Sequence, residues 1–362
     1  MKPKNSPAIL LAGLWLAATA LAQPRPLKVL VLYDMEGVTG ATSYKHVQAM
    51  YKSEYEAGRQ SLTADVNAAI AGLKAAGVQD IVVVDGHGSG NTGGPDVFED
   101  QLLPPARMIS RDRRFDIYMD SYDHSFGAIV AVAMHAGAGN TAGYSSHTYA
   151  YEDIQYKVNG VPLNESMILA MGAARFKIPL IMVSGDDQFE REVRHSLPWV
   201  KCAVVKHALS RASAEPVARE EASRRIEAAA REAVTALASA QLPDYPGPYR
   251  FALTFQDEAQ ARNAALQPGA ELLADPTTVQ IRAGDFEEGY RRSLRLLSLA
   301  EDVAYLEVLQ AVLDEQPNSG ALELRLRDWV HERWLNLPHA SAPASTAAPG
   351  TPPARQRIWG AR

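Results

Sequence analysis

From Leu27 to Tyr33 the chain reads Leu-Lys-Val-Leu-Val-Leu-Tyr, a nearly continuous aliphatic run that predicts a strand buried on both faces of a parallel sheet. Ser53 to Ala76 changes period: Leu62, Val66, Ala69, Ile70 and Leu73 recur at three- and four-residue spacing, and Gly77 follows as a stop, which predicts a long helix. Ile81 to Val84 is a second buried strand, so a βαβ unit is expected within about sixty residues, as in doubly wound α/β folds. Ala128 to Ala133 and Pro179 to Val183 predict further strands, and Glu165 to Phe176 predicts the helix between them. Thr148 to Val158 instead alternates polar and apolar residues and runs into Asn159-Gly160, whose tolerance of positive φ predicts a β-hairpin beside the main sheet.

Beyond Asp187 the texture shifts. A short strand is expected near Val204, followed by an Ala/Glu/Arg-rich helix from about Pro216 to Ala240 and a proline-rich link from Leu242 to Tyr249. Strands at Arg250 to Phe255 and Thr277 to Arg282, with helices at Asp257 to Leu266 and Asp285 to Leu299, predict a smaller α+β domain, and Val303 to Trp334 adds helical sequence. From Ala340 the chain is rich in Ala, Pro, Ser and Thr and predicts a disordered tail. The expected organisation is therefore a signal segment over 1–22, an α/β catalytic domain over 23–200, a smaller α+β domain with C-terminal helices over 201–336, and a tail over 337–362. The fold class expected is α/β with a mostly parallel, doubly wound sheet.

At 362 residues and 47% apolar content the chain can bury a substantial core. Lys2 and Lys4, the apolar run from Ala8 to Ala20 and the small residues Ala20 and Ala22 read as a secretory signal cleaved before Gln23. An uncleaved anchor is the alternative, although the run is short of the roughly 20 apolar residues that span a bilayer. With cleavage the protein is expected in the periplasm or outside the cell, without stable membrane insertion. The single cysteine, Cys202, excludes an intrachain disulfide. Loss of the two signal lysines takes the formal charge from −6 to −8, and with no basic stripe nucleic-acid binding is not expected.

The candidate chemistry lies where predicted strands end. Asp34-Met35-Glu36-Gly37 puts two carboxylates two apart just past the first strand, as oxygen ligands of a cation or as a solvated loop pair. Asp85-Gly86-His87-Gly88 follows the second strand, and its glycines allow close approach to the imidazole; the spacing does not fit a phosphate-cradling loop. Met134-His135-Ala136-Gly137 follows the third. Each histidine alone could be a hydrogen-bonded core residue. Together, Asp34, Glu36, His87 and His135 fall at three carboxyl ends of strands, where open parallel sheets bind ligands, and this convergence points to one metal site. Glu165, after Asn164 at a helix start, could join it or simply complement the helix dipole.

These residues, with Ser146-His147, Asn159-Gly160-Val161-Pro162-Leu163-Asn164-Glu165, Gly185-Asp186-Asp187, Val205-Lys206, Ser210-Arg211, Pro268-Gly269 and Thr277 to Gln280, resemble in order and spacing the zinc-dependent D-aminopeptidase family. The resemblance spans roughly Leu27 to Ala300. It implies zinc ligands at Asp34, Glu36, His87, His135 and Glu165, a bridging role for Asp34, a catalytic histidine at His147, and a ring-like homo-oligomer. Five ligands with one bridging suit two zinc ions per subunit. The implied activity is removal of the N-terminal residue of short peptides, D-alanyl peptides foremost. The export signal and the glycine-rich loop around His87 depart from the family pattern. Two other classes fit the same residues less fully: a metal-dependent phosphoesterase, which uses carboxylates and histidines equally well, and a non-enzymatic periplasmic binding protein.

Overall fold

The computed structural model describes residues 26–87, 94–109, 116–149, 153–322, 324, 325 and 328. The signal segment expected over 1–22 and the tail expected over 337–362 lie outside them, as do Gly88, Ser89 and Gly90 of the loop after His87. The strands in chain order are β1 (Lys28–Tyr33), β2 (Asp80–Asp85), β3 (Arg107–Met108), β4 (Ala128–Val132), β5 (Asp153–Val158), β6 (Val161–Pro162), β7 (Leu180–Asp186), β8 (Lys201–Ser210), β9 (Ser213–Pro216), β10 (Tyr249–Phe255), β11 (Ala270–Leu272) and β12 (Thr278–Ala283). The helices are α1 (Lys52–Ala75), α2 (Ile117–Asp120), α3 (Glu165–Ala174), α4 (Asp187–Ser196), α5 (Arg219–Thr235), α6 (Glu258–Ala264) and α7 (Phe286–Asp314).

Among the described residues, seven strands form one sheet in the order β3-β2-β1-β4-β7-β8-β9. Every neighbouring pair is parallel except the antiparallel hairpin of β8 and β9. β4 is buried along its whole length, and so is β7, which accounts for the small and apolar residues that fill β4 and run through β7 as far as Gly185. Side chains alternate between two layers: Val29 and Val31 face α1 and α5, packing with Leu62, Val66, Ile70 and Ile226, while Leu30 and Leu32 face a second core that contains Ile168, Tyr156, Phe251 and Leu294. Helix α1 ends as the sequence predicts, with Gly77 at φ 90° and the Val78 amide donating to the Leu73 carbonyl.

β1 lies between β2 and β4, so the connections leave it in opposite directions and open a crevice at its carboxyl end. Asp34 follows β1 at this point.

The second sheet is antiparallel, in the order β11-β12-β10-β5-β6. The hairpin expected beside the main sheet is present, with Asn159 at φ 51° and Gly160 at φ 86° in its turn, but it forms the edge of this second sheet by pairing β5 with β10. Both sheets thus carry strands from either side of residue 200, because β7 pairs with β8 and β5 with β10. The helical stretches expected as two pieces after Asp285 run together as α7 to Asp314. Among the described residues, no helix is long and apolar enough to cross a membrane.

Candidate metal centre

The six residues singled out in the sequence come together at the carboxyl ends of β1, β2 and β4. Their ligand atoms form two compact groups, Asp34 with Glu36 and His87, and His135 with His147 and Glu165, each within 4.8 Å. The groups abut, since His135 Nε2 lies 3.3 Å from Asp34 Oδ2 and 3.9 Å from Glu165 Oε2. Within the first group His87 Nε2 lies 3.5 Å from Glu36 Oε1. Asp34, Glu36, His87, His135 and Glu165 are buried, whereas His147 is only half-buried.

Backbone packing sets these positions. The Asp34 amide donates to the Val132 carbonyl and the Gly37 amide to the Ala133 carbonyl, which holds the segment after β1 against that after β4. Glu165 opens α3, whose cap Asn164 accepts from the Met167 amide. The His147 segment is tied to the β8–β9 turn by the Ser145 amide donating to the Arg211 carbonyl, and to the end of β7 by the Tyr144 amide donating to Asp186, the cap of α4.

Each imidazole has one ring nitrogen already committed. His87 Nδ1 donates to the Asp96 carboxylate at 3.0 Å, His135 Nδ1 to the Ala136 carbonyl at 2.9 Å, and His147 Nδ1 to the Ser145 carbonyl at 2.7 Å. Acceptors at Nδ1 select the tautomer that leaves Nε2 as the donor atom toward a metal or a proton. Asp96 is itself held by the Tyr55 hydroxyl and, through its amide, by Asp85, which also accepts from the His87 amide. Glu165 accepts from the Tyr118 hydroxyl at 2.6 Å and the Tyr149 amide at 2.7 Å. Buried Lys206 donates to the carbonyls of Glu36 and Ala41.

The donor set fits a divalent cation. Among the described residues, Glu36 Oε2 and His135 Nε2 are buried with no hydrogen-bond partner, which is costly unless something charged meets them. The electrostatics agree, because burial and then the neighbouring Glu36 push Asp34 up to about 7. Burial acts against charge on His135, but the Asp34 and Glu165 carboxylates override it and lift the imidazole to about 10. His87 behaves alike: burial opposes its charge, and Glu36 with Asp96 raises it well above the usual range. The cluster holds surplus negative charge that, without a cation, favours protonation of His87 and His135. His147 differs, because burial and then His135 lower its pKa.

All six of these residues carry a signal in the sequence, but their supports do not: Asp96, Tyr118, Tyr55 and Glu192, which accepts from the Gly137 amide and the Asn164 side chain, have no local signature, and Lys206 stands out only by family resemblance.

A sequence model of the D-aminopeptidase family matches residues 27–294. The chain is 29% identical over 277 residues to the D-aminopeptidase of Bacillus subtilis (strain 168), covering 76% of this chain and 98% of the relative. The solved structure of the zinc-dependent D-aminopeptidase DppA from Bacillus subtilis, described as a self-compartmentalizing protease, matches with a TM-score of 0.71 at 28% identity, over 76% of this chain and 98% of that one.

Proposed function

The chain belongs to the D-aminopeptidase family and is a metallo-aminopeptidase, and we propose that it holds two zinc ions on Asp34, Glu36, His87, His135 and Glu165 and uses His147 for catalysis. The proposal rests on two abutting ligand groups joined by the 3.3 Å contact between His135 and Asp34. Five donor residues exceed what one tetrahedral zinc takes, and Asp34 lies where a carboxylate would serve both groups. Bound zinc supplies Lewis acidity, lowering the pKa of water and polarising the scissile carbonyl.

The protein's own groups do the rest. Tyr118 and the Tyr149 amide fix both oxygens of Glu165, and Asp96 fixes the His87 ring. His147 stacks on His135 with ring centroids 4.2 Å apart, and burial and then His135 lower its pKa, which favours the neutral imidazole. Its Nε2 can therefore accept the proton of the attacking water and return it to the leaving amine. Its greater exposure than the other five supports a role on the substrate side.

The substrates are short peptides with an N-terminal D-residue, D-alanine foremost, of the kind released from cell walls outside the cytoplasm. Export rests on the segment Met1 to Ala22, and assembly into a homo-oligomer on the relative described as self-compartmentalizing. Protein recovered from the periplasm should have the mass of a chain starting at Gln23 and sediment as an oligomer; a full-length or monomeric species would contradict export or assembly respectively. The activity is tested by pairing elemental analysis with D- and L-alanyl peptides. Two zinc ions per chain and a strong D preference are expected. Equal rates on L-peptides would end the D-specific reading. Phosphoester turnover without peptide turnover would favour the metal-dependent phosphoesterase, which the family match does not support.

A further inference from the structure

Glu192 sits on α4, outside every motif that marks the metal centre in the sequence. Its carboxylate is nonetheless built into the frame of that centre. Oε2 accepts from the Gly137 amide at 3.1 Å and from Asn164 Nδ2 at 2.9 Å, and Oε1 accepts from Asn140 Nδ2 at 2.7 Å. Gly137 lies two residues beyond His135, Asn164 directly precedes Glu165, and Asn140 belongs to the loop that continues to His147. No basic side chain pairs with Glu192 among the described salt bridges, so its charge is met by these three donors. A charged acceptor makes each such bond stronger than a neutral one would be.

Two ligands of the same group come from different elements, His135 from the segment after β4 and Glu165 from the start of α3. Nothing in β4 or α3 alone sets the distance between them. We infer that Glu192 is a positioning residue of the metal centre: one carboxylate fastens the His135 segment to the Glu165 helix and so fixes the separation of two metal ligands. This rests on the ligand assignment above. A hydrogen-bonding side chain that orients ligands from outside the coordination sphere typically changes metal affinity or activity by about 10- to 100-fold when removed.

The test compares wild type with Glu192→Gln and Glu192→Ala. Glu192 borders a cavity of about 550 Å³, so the isosteric Gln meets no steric obstacle, and it keeps one acceptor oxygen for two of the three donors. Each protein is stripped, reloaded with Co(II) and read by its visible spectrum, then titrated with zinc against a chelator; kcat and KM are measured at saturating zinc. The expected result is a shifted Co(II) spectrum, zinc affinity weaker by about tenfold or more in Gln and further in Ala, and a fall in kcat with little change in KM. Wild-type spectra, zinc affinity and kcat in both variants would overturn the inference, as would lost thermal stability with an unshifted Co(II) spectrum. A wild-type protein that binds no Co(II) would instead overturn the ligand assignment itself.

Discussion

Three imidazoles meet three carboxylates in this centre, and each imidazole has its Nδ1 spent on a carbonyl or carboxylate before any cation arrives. The residues therefore differ less in donor chemistry than in exposure. His87 and His135, the proposed ligands, are buried, while His147 is half-buried although its ring stacks on His135. That difference supports the proposed role of His147 on the substrate side. His147→Ala should keep both zinc ions and the fold but lose about two to four orders of magnitude in kcat, the cost of removing one proton-transfer or oxyanion-stabilising group. The loss should be equal in kcat and kcat/KM, because the contact is made chiefly in the transition state. A variant that loses zinc would place His147 among the ligands, as its grouping with His135 and Glu165 allows; a variant of near-normal rate would remove it from the chemistry.

Elements bring these residues together through close backbone contact at the strand ends. Cβ atoms added at Gly37 and Gly185 would lie 1.9 Å and 2.3 Å from the Met134 carbonyl oxygen, so this carbonyl is wedged between the segment that follows β1 and the end of β7. Gly37→Ala should therefore cost about 1–3 kcal/mol or more of stability in denaturant melts and lower zinc content as well, since the Asp34–Glu36 segment must move. Gly284→Ala, with open space around it, should stay within about 0.5 kcal/mol. Similar melts for both would mean the contact at Gly37 relaxes freely. The same geometry explains what could be read from sequence. Strands buried on both faces write themselves as aliphatic runs, and the polar residues that follow each run fall at one sheet edge, so Asp34, Glu36, His87 and His135 were legible together. Glu165 and His147 needed family resemblance, because a helix-start carboxylate and a loop histidine have ordinary explanations. The supports were illegible for a different reason: Tyr118 reaches Glu165 from 47 residues away and Glu192 reaches Gly137 from 55, and no local period records such pairs. The Asn159-Gly160 turn likewise announced a hairpin but not its sheet, since β10 arrives about ninety residues later.

At the scale of the whole molecule the centre couples metal binding to folding stability, and the sign of its pH dependence follows from the charges it gathers. In the metal-free protein Asp34 titrates at about 7 instead of 3.8, because burial and Glu36 disfavour its charge. An acid raised on folding costs stability as it ionises, so the metal-free fold weakens between about pH 4 and 7. His135 titrates at about 10 instead of 6.5, with burial opposing its charge and Asp34 and Glu165 prevailing. The stability this gives is fully present below 6.5 and is lost as pH rises toward 10. Both groups therefore make the metal-free protein less stable from mildly acid to alkaline pH. Zinc held by the proposed ligands would act oppositely, since it needs ionised Asp34 and neutral imidazoles, displaces their protons on binding, and so binds more tightly as pH rises. Bound metal stabilises in proportion to the logarithm of its concentration over Kd. The difference in Tm between zinc-loaded and chelated protein should accordingly widen from pH 5.5 to pH 9, with zinc binding at pH 7.5 releasing protons in calorimetry repeated across buffers of different ionisation enthalpy. A gap that stays constant or narrows toward alkaline pH would mean that zinc does not sit on Asp34 and His135.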